Sequence, residues 1–598
     1  MTTATSYRPA VADFDAKADN AARPNNEMAK VFANVLIIRS DIGQLIRSCD
    51  TTLHGRIIQN FHTTQSVFLG ILLPTRVCIT CNVGIRALFL HNETGKLLNQ
   101  KFGRGERMYD FIVIGGGSAG CVVASRLTEN PDISVCLLEA GGPDSSVLIH
   151  APMGVAAILP IKFNNWGFKT TAQKGLNGRQ GYQPRGRVMG GSSSINAMLY
   201  VRGHKSDYDD WANLGNEGWA WDDVLPWFKR AENNERGGDD LHGSGGPLNV
   251  ADQRSPRSIG DAFIEAGSEI QARRNEDFNG PEQEGIGYYQ VTQKDGERHS
   301  AAKAYLTPHL SRPNLTVVTR ARVAKILIED KRAVGVAYLH NGKRVEARAK
   351  QEVIVSGGAF GSPQTLLLSG IGPVDELQKH GIEVVHELPG VGQNLQDHVD
   401  YTTAYKSPSR DLLGFSPSST IAIVKGIMEW RRQRTGVVTT PFAEGGAFLK
   451  TSADLARPDI QLHFVVGIVD DHNRKPHLGN GFSCHICVLR PQSRGTVGLN
   501  NNDPKKDPRI DPAFLSDERD LDTLTAGLRL TRQLLEAPAL APWRGKELYK
   551  VDHNNERALK EMIRNRADTV YHPVGTCKMG SDDMAVVDNK LKVHGIDG

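Results

Sequence analysis

A glycine-rich run behind a short apolar segment carries the clearest chemistry in this sequence. The residues YDFIVI (109–114) lead directly into GGGSAG (115–120). Gly115 permits a tight turn, Gly117 lets the backbone approach a pyrophosphate without a Cβ, and Gly120 lets the following helix pack close to its strand. Phosphates would lie at the helix N-terminus, where free N–H groups and the helix dipole favour anions.

A carboxylate follows at the spacing that a dinucleotide fold requires. The apolar run 133–138 predicts a second strand and ends at Glu139, which lies 19 residues after Gly120. An acidic residue at this distance holds a ribose 2′-hydroxyl. The complete strand–turn–helix–strand–Glu arrangement therefore predicts a bound dinucleotide, with Ser118 at the helix start among its contacts. The alternative is a structural turn with no nucleotide.

Length and composition exclude several classes of protein. A chain of 598 residues is too long for one core and predicts two or more domains. With 71 Lys and Arg against 67 Asp and Glu, and no dense basic block, nucleic acid is not an expected partner. The 8 cysteines are scattered, which indicates a reducing compartment rather than a disulfide framework.

Two cysteine pairs have the spacing of metal ligands. Cys484 and Cys487 lie in a predicted strand, 482–489, where residues three apart face opposite sides. Cys78 and Cys81 have no second pair at zinc-site spacing. We therefore expect no bound metal.

The first 107 residues differ from the rest because they show no sustained hydrophobic period. Met108 comes directly before the first strand, so our hypothesis is that residues 1–107 are an extension or a mis-assigned upstream region; the rival is a real accessory segment. The apolar stretch 67–90 is interrupted by Pro74 and Arg76, so we expect no transmembrane span. Without a secretory leader, a cytoplasmic location is predicted, and peripheral association with the inner membrane is left open.

Strand and helix patterns alternate after Met108, which predicts an α/β architecture. Further strands are predicted at 314–319, 322–328, 333–339 and 352–356. After Asp397 the pattern changes, with a helix expected over 421–434 and a strand over 459–468. This change predicts a separate domain on the substrate side.

Four further motifs indicate which protein family has this fold and sequence. They occur in the order GRVMGGSSSINAM (186–198), GAFGSPQTLLLSGIG (358–372), GQNLQDH (392–398) and HPVGTCKMG (572–580). Together they resemble the glucose-methanol-choline (GMC) flavoprotein oxidoreductases over residues 108–598. The resemblance implies a Rossmann-like FAD-binding domain at 108–397 with part of the substrate side inserted, a second α+β substrate-binding domain at 398–567, and a return to the first domain at 568–598.

The first of these motifs is expected to hold the flavin. Gly190 and Gly191 remove side chains where a flat ring must come close, and the serines that follow mark an expected helix start. Met189 stands where the family usually has a branched aliphatic residue of similar volume. In the second motif, Pro363 is expected to start a helix over 364–369. By resemblance, five more residues contact the cofactor: Val188, Asn196, Ala197 and Met198 beside the flavin, and Val323 beside the adenine.

His572 is the expected catalytic base. Oxidising an alcohol requires loss of a hydroxyl proton and of a hydride from the same carbon, and an imidazole accepts protons near neutral pH. The match around His572 to the family's catalytic-histidine segment favours this role over a structural one. His398 is expected to be a residue of the domain junction.

The sequence ends at Gly598, where the resembled family continues with a strand, an acidic contact to the cofactor and a second His or Asn. We therefore expect this chain to be a fragment of a working enzyme.

The leading hypothesis is FAD-dependent oxidation of a primary alcohol to an aldehyde, with oxygen or a quinone left open as electron acceptor. Choline is the runner-up substrate, for which Glu444 and Trp430 could surround a quaternary ammonium. An NAD-dependent Rossmann dehydrogenase would explain the first motif but not the later glycine clusters. A flavin-binding fragment without activity is the third alternative.

Overall fold

The computed structural model describes residues 107–598. The predictions for the N-terminal extension, for the Cys78 and Cys81 pair and for the stretch 67–90 lie outside the described residues. Over 107–598, no helix combines the length and the apolar character needed to cross a membrane.

Strands and helices alternate along the described chain. The strands are β1 Arg107–Ile114, β2 Val135–Leu138, β3 Phe168–Gln173, β4 Arg179–Gln183, β5 Glu232–Asn234, β6 Leu248–Val250, β7 Gly285–Tyr288, β8 Gln293–Lys294, β9 Glu297–Arg298, β10 Leu315–Val318, β11 Ala321–Glu329, β12 Arg332–His340, β13 Lys343–Val355, β14 Ile371–Gly372, β15 His386–Glu387, β16 Val399–Ser407, β17 Gly414–Phe415, β18 Ala443–Leu449, β19 Ile460–Val465, β20 Gly479–Val488, β21 Thr496–Gly498, β22 Arg509–Asp511, β23 Glu547–Leu548 and β24 Asp568–Thr569. The α-helices are α1 Ser118–Leu127, α2 Val147–His150, α3 Val155–Ile158, α4 Lys205–Asn213, α5 Trp221–Ala231, α6 Ser258–Glu265, α7 Gly358–Leu368, α8 Val374–Lys379, α9 Pro417–Gln433, α10 Glu518–Glu536 and α11 Glu556–Arg566.

A six-stranded sheet holds the glycine-rich run. Its order is β10-β2-β1-β13-β12-β11, and β1 and β10 both pair with β2 in parallel. Every residue of β2 is buried, as expected for a strand covered on both faces. Strands β11 and β12 form a hairpin whose two loop residues, Asp330 and Lys331, both have positive φ. That geometry matches the right-handed twist of the strands, and the strands predicted in this region are confirmed.

A second large sheet is antiparallel, with the order β23-β16-β20-β19-β18-β7. Strands β18 and β19 are buried at every position, and α10 packs against β16, β19 and β20. Strand β7 comes from the middle of the chain and β24 from near its end. The second sheet therefore draws on segments on either side of the range 398–567, and those boundaries stay a prediction.

The last residues of the chain lie against the first sheet. The N–H of Val353 donates to the carbonyl of Gly598 at 2.8 Å, and the N–H of Ala333 donates to that of Asp597 at 2.8 Å. These contacts support the proposed return of 568–598 to the first domain.

The prediction for the start of the second motif's helix was wrong. Helix α7 begins at Gly358, so Pro363 lies inside it. Proline has no N–H to donate to the carbonyl four residues earlier, which belongs to Ala359. The Thr576 hydroxyl donates to that carbonyl instead, at 2.6 Å. A partner that is distant in sequence therefore lets the helix continue through the proline.

Candidate active site

Two of the glycines in the first turn are fixed by contacts with neighbouring backbone. Gly115 has a φ of 98°, and a Cβ there would come within 2.6 Å of the Ser356 carbonyl oxygen. A Cβ on Gly120 would lie 1.9 Å from the carbonyl oxygen of Gly115. Any larger residue at Gly120 would therefore force the turn apart, so this glycine holds α1 against its own strand.

Gly117 serves a different purpose. A Cβ at Gly117 would meet no atom within 4 Å, so the turn itself does not require a glycine there. Gly117 caps α1 without a side-chain hydrogen bond, and Ser118 and Ala119 are exposed. The first N–H groups of a helix have no partner within the helix. This helix start is thus open to an anionic group, as the sequence predicts for a pyrophosphate.

Glu139 lies at the carboxyl end of β2 and is buried. Its Oε2 accepts from the N–H of Gly116 at 2.8 Å, and its Oε1 accepts from the N–H of Gly141 at 2.7 Å. Burial raises the pKa of Glu139 to about 7, although these hydrogen bonds and the charge of Arg187 act to lower it. The carboxyl group therefore braces the glycine turn, and each oxygen keeps a further lone pair for a hydroxyl. Its contact with a ribose stays a prediction.

Strand β11 begins beside Glu139. The N–H of Ala321 donates to the backbone carbonyl of Glu139 at 2.8 Å. Val323 follows two residues later and is partly buried. Its contact with an adenine, which the family resemblance implies, stays a prediction.

The motif at 186–198, which is expected to hold the flavin, is hydrogen-bonded to the glycine-rich turn at 115–120. The N–H of Gly190 donates to the carbonyl of Gly116 at 2.7 Å, and Gly190 and Gly191 have φ of 86° and 54°. A Cβ on Gly191 would lie 2.7 Å from the Cα of Gly117. Val188 and Met189 are buried beneath this contact. The serines that follow form a short 3₁₀-helix, Gly191–Ser194, rather than the start of an α-helix.

Asn196 is exposed and held by a buried arginine. Its Oδ1 accepts from the Nη1 of Arg298 at 2.7 Å and from the N–H of Met198 at 3.1 Å. Met198, the residue after Ala197, has a φ of 63°, and its carbonyl accepts from the N–H of Thr292 at 2.8 Å. The segment is thus fixed in a left-handed turn by partners outside the motif.

Arg298 was missed by the sequence reasoning. Its side chain is 1% exposed and donates to the carbonyl of Ile149 at 2.9 Å, while its Nη2 has no hydrogen-bond partner. Burial lowers the pKa of Arg298 to about 9. A buried cation with a free donor next to Asn196 suits an electron-rich group. No local pattern marks it, because one arginine after a polar turn is unremarkable.

The backbone of His572 is anchored by the aspartate of the GQNLQDH motif. Asp397 Oδ1 accepts from the N–H of His572 at 2.9 Å, and its Oδ2 accepts from the hydroxyl of Thr569 at 2.6 Å. Burial raises the pKa of Asp397 to about 6, although these hydrogen bonds and a third from Gln183 act to lower it. Tyr571 has a φ of 77°, which sets the turn into His572.

A second histidine contacts His572 directly. The Nδ1 atoms of His398 and His572 lie 3.1 Å apart, and the two rings are nearly perpendicular, at 86°. His398, expected as a residue of the domain junction, therefore also lies directly beside the proposed base. Antiparallel pairing of Val399 with Thr569 sets this contact, because it brings the residues flanking β16 and β24 together.

A third histidine completes the cluster. The centroid of the His463 ring lies 6.4 Å from that of His572. His463 is 7% exposed, it lies inside β19, and its Nδ1 has no hydrogen-bond partner. Its sequence neighbours are ordinary strand residues, so no signal in the sequence could have found it.

The environment keeps all three rings neutral near pH 7. Burial, followed by the charges of His398, His463 and Arg185, holds the pKa of His572 well below 6.5. Burial also lowers the pKa of His398 to about 4 and that of His463 to about 3. His572 is nevertheless classed as an exposed residue, so protein atoms surround it without covering it completely.

The contact between the two rings restricts their proton arrangement. A bond between two ring nitrogens needs one protonated and one bare nitrogen. With the proton on Nδ1 of His572, the Nδ1 of His398 is the acceptor, and the Nε2 of His572 keeps a free lone pair.

The residues suggested for a choline pocket do not form one. Glu444 is fully buried and accepts from the N–H of Arg257 at 2.6 Å and the hydroxyl of Thr440 at 2.8 Å. Trp430 is 3% exposed, donates to the carbonyl of Gly296 at 2.7 Å and carries Arg434 over its ring at 4.2 Å. Both side chains have protein partners, so neither lines an open pocket.

The predicted strand around the second cysteine pair is confirmed. Cys484 and Cys487 lie in β20, and both are buried free thiols. Among residues 107–598, no group of three His, Cys, Asp or Glu side chains is arranged to hold a metal ion.

Known proteins share this fold and these motifs. The models of the GMC oxidoreductase family match residues 109–400 and 491–598, and the chain belongs to this family. It is 44% identical over 495 residues to an alcohol dehydrogenase [acceptor] of Pseudomonas putida, covering 82% of this chain and 89% of that protein. It is 43% identical over 499 residues to the mitochondrial choline dehydrogenase of Homo sapiens, covering 82% and 84%.

A solved structure of another protein has a similar fold. Pyridoxine 4-oxidase from Mesorbium loti superimposes with a TM-score of 0.74 at 32% identity, over 82% of this chain and 92% of that one. The resemblance read from the motifs is therefore confirmed, and with it the α/β fold class and the prediction of an FAD-dependent oxidoreductase acting on CH–OH donors.

Proposed function

We propose that this protein oxidises a primary alcohol to an aldehyde with FAD as cofactor and His572 as base. The observation that carries the proposal is the contact between the Nδ1 atoms of His398 and His572, because a bond that uses the Nδ1–H of His572 leaves its Nε2 free to accept a proton. An NAD-dependent dehydrogenase would need no such pair beside a second glycine cluster.

The residues fit FAD. The uncapped start of α1, with Gly117 and Ser118, would hold the pyrophosphate, and Glu139 and Val323 the adenosine. The segment from Val188 to Met198 would lie beside the flavin, where the Nη2 of Arg298 has no protein partner. When bound, FAD supplies the acceptor for the hydride at its N5 atom.

The chain's own groups handle the proton. As the substrate carbon loses its hydride, the hydroxyl oxygen gives its proton to the Nε2 of His572, and an aldehyde remains. The resulting imidazolium keeps its Nδ1–H bonded to the Nδ1 of His398, and such a charge-assisted bond is stronger than the neutral one. Asp397 holds the backbone of His572 in register throughout.

Two observations favour a simple alcohol over choline. Val574, two residues after His572, is 57% exposed, so an apolar surface adjoins the base. The two side chains suggested for an ammonium pocket are buried. We propose a cytoplasmic location and either oxygen or a quinone as final acceptor; flavin reoxidation with each under otherwise anaerobic conditions would separate them.

The test is an anaerobic titration of the purified protein with a panel of primary alcohols and choline while the flavin absorbance is followed. We expect bleaching with alcohols, and a reduction rate lowered by 10²–10⁴-fold in His572→Asn at unchanged flavin content. His594→Asn, outside the cluster, serves as the matched control. A variant that reduces its flavin at the wild-type rate would exclude His572 as base. A colourless protein that releases no flavin on denaturation would favour the NAD-dependent alternative.

A further inference from the structure

Helix α9 carries a row of apolar side chains that are exposed to solvent. Ile421 is 57% exposed, Val424 46% and Met428 42%. These positions are three and four residues apart, so they lie on one side of the helix. The opposite side is buried through Ser419, Gly426, Ile427 and Trp430. The helix is therefore fixed by one face, and its other face carries an apolar stripe.

The charges on this exposed side are almost all positive. Lys425, Arg431 and Arg432 are exposed and flank the stripe at helical spacing. Glu429 is turned away towards the following loop, because its Oε1 accepts from the hydroxyl of Thr435 at 2.9 Å. Arg434 is already paired with Glu297 at 3.0 Å. Three basic side chains are thus left beside the apolar stripe.

A further exposed apolar residue lies near the start of the helix. Leu478 is 80% exposed, and its backbone forms a bridge with Phe415, two residues before α9 begins. We call the four exposed apolar residues Leu478, Ile421, Val424 and Met428, together with Lys425, Arg431 and Arg432, the α9 surface.

We propose that the α9 surface docks on a lipid bilayer that contains anionic headgroups. An apolar ridge bordered by Lys and Arg is the composition of helices that lie in the membrane interface. A second copy of the chain is a poorer occupant, because a two-fold contact would set the basic residues of one surface against those of the other.

Another exposed apolar region lacks an excess of positive charge. Helices α4 and α5 have no buried residue, and Trp211, Leu214 and Trp227 are 44%, 73% and 64% exposed. The helices carry Asp209, Asp210, Asp222 and Asp223 as well as basic residues, of which Arg230 lies over the Trp227 ring. With charges of both signs, this region offers a control that is apolar but not predominantly basic.

The buried face of α9 lies close to the proposed flavin segment. Trp430 donates to the carbonyl of Gly296, and Arg298, two residues later, holds Asn196. Docking through α9 would therefore bring the side of the protein behind the flavin segment to the membrane.

The test is flotation of the full-length protein with two kinds of vesicle, phosphatidylcholine alone and phosphatidylcholine mixed with phosphatidylglycerol. We expect binding to the mixed vesicles, release at high salt, and little binding to phosphatidylcholine alone. Changing Lys425, Arg431 and Arg432 together to Gln should lower partitioning by about a hundredfold. Val424→Glu should lower it as well.

Leu214→Glu, in the region of α4 and α5, should bind as wild type does. Flavin content and the circular dichroism spectrum check that each variant is folded. Equal flotation of wild type and of both α9 variants would overturn the proposal, as would wild type that stays unbound. A dimer in sedimentation velocity that Val424→Glu dissociates would assign the α9 surface to a second copy instead.

Discussion

The nucleotide end and the histidine end of this protein are built in different ways. At the nucleotide end, one run of six residues, 115–120, supplies the turn, the close approach and the helix start. At the histidine end, His398, His463 and His572 come from three segments that lie far apart in the chain. The first end can be recognised from local sequence, whereas the second exists only after the sheet has formed.

The two ends also respond differently to substitution. A change in the glycine turn acts through steric overlap, which cannot be relieved where both groups are backbone. A change in the histidine cluster removes a proton acceptor or a hydrogen bond without creating steric overlap. We therefore expect loss of binding at one end and loss of rate at the other.

The largest effect is expected for Gly120→Val. Its Cβ would lie 1.9 Å from the carbonyl oxygen of Gly115, so the turn cannot form around it. We expect protein that purifies without flavin and unfolds at a lower temperature than wild type, as measured by absorbance and calorimetry. Gly117→Ala is the matched control, because its Cβ would meet nothing within 4 Å. It should keep the wild-type unfolding temperature but bind FAD more weakly, and equal behaviour of the two variants would contradict these separate roles.

A smaller effect is expected for His398→Ala. The variant removes the acceptor for the Nδ1–H of His572, so the imidazolium that forms during the reaction loses its partner. We expect kcat to fall by roughly 10–100-fold with little change in KM, measured with the best alcohol from the panel. His463→Ala removes a ring whose centroid lies 6.4 Å from that of His572, and it should lower kcat by a smaller factor. If His463→Ala were the more damaging of the two, His463 rather than His398 would be the ring on which the base depends.

The remaining effect concerns stability in acid rather than rate. The unfolded chain protonates His463 below its ordinary pKa of 6.5, but the folded protein does so only near 3. Stability is therefore lost as pH falls from 6.5 towards 3, by up to about 1.4 kcal/mol per pH unit for this group.

His463→Gln removes this penalty. Between pH 6.5 and 4.5 its unfolding free energy, from urea titrations, should fall less steeply than that of wild type. Parallel curves for wild type and His463→Gln would show that His463 is charged in the folded protein.

Much of the fold was readable from the sequence because its signals are local. Strands β11 and β12 were predicted from two apolar runs, and the apolar run with the glycines behind it predicted β1 and α1. The start of helix α7 was placed wrongly because Pro363 lies inside the helix. The carbonyl that Pro363 cannot bond is instead bonded by Thr576, more than two hundred residues away. Local rules cannot supply such a partner.

The sequence by itself determined the nucleotide fold, the family and His572 as the candidate base, because glycine φ values, strand periods and motif order are properties of short segments. Only the tertiary structure decided that His398 bonds to His572, that His463 lies beside them, that Arg298 holds Asn196, and that Glu444 and Trp430 are buried. Each of these depends on which strands pair and which faces are covered, and burial and neighbouring charge then set the pKa values on which the chemistry rests.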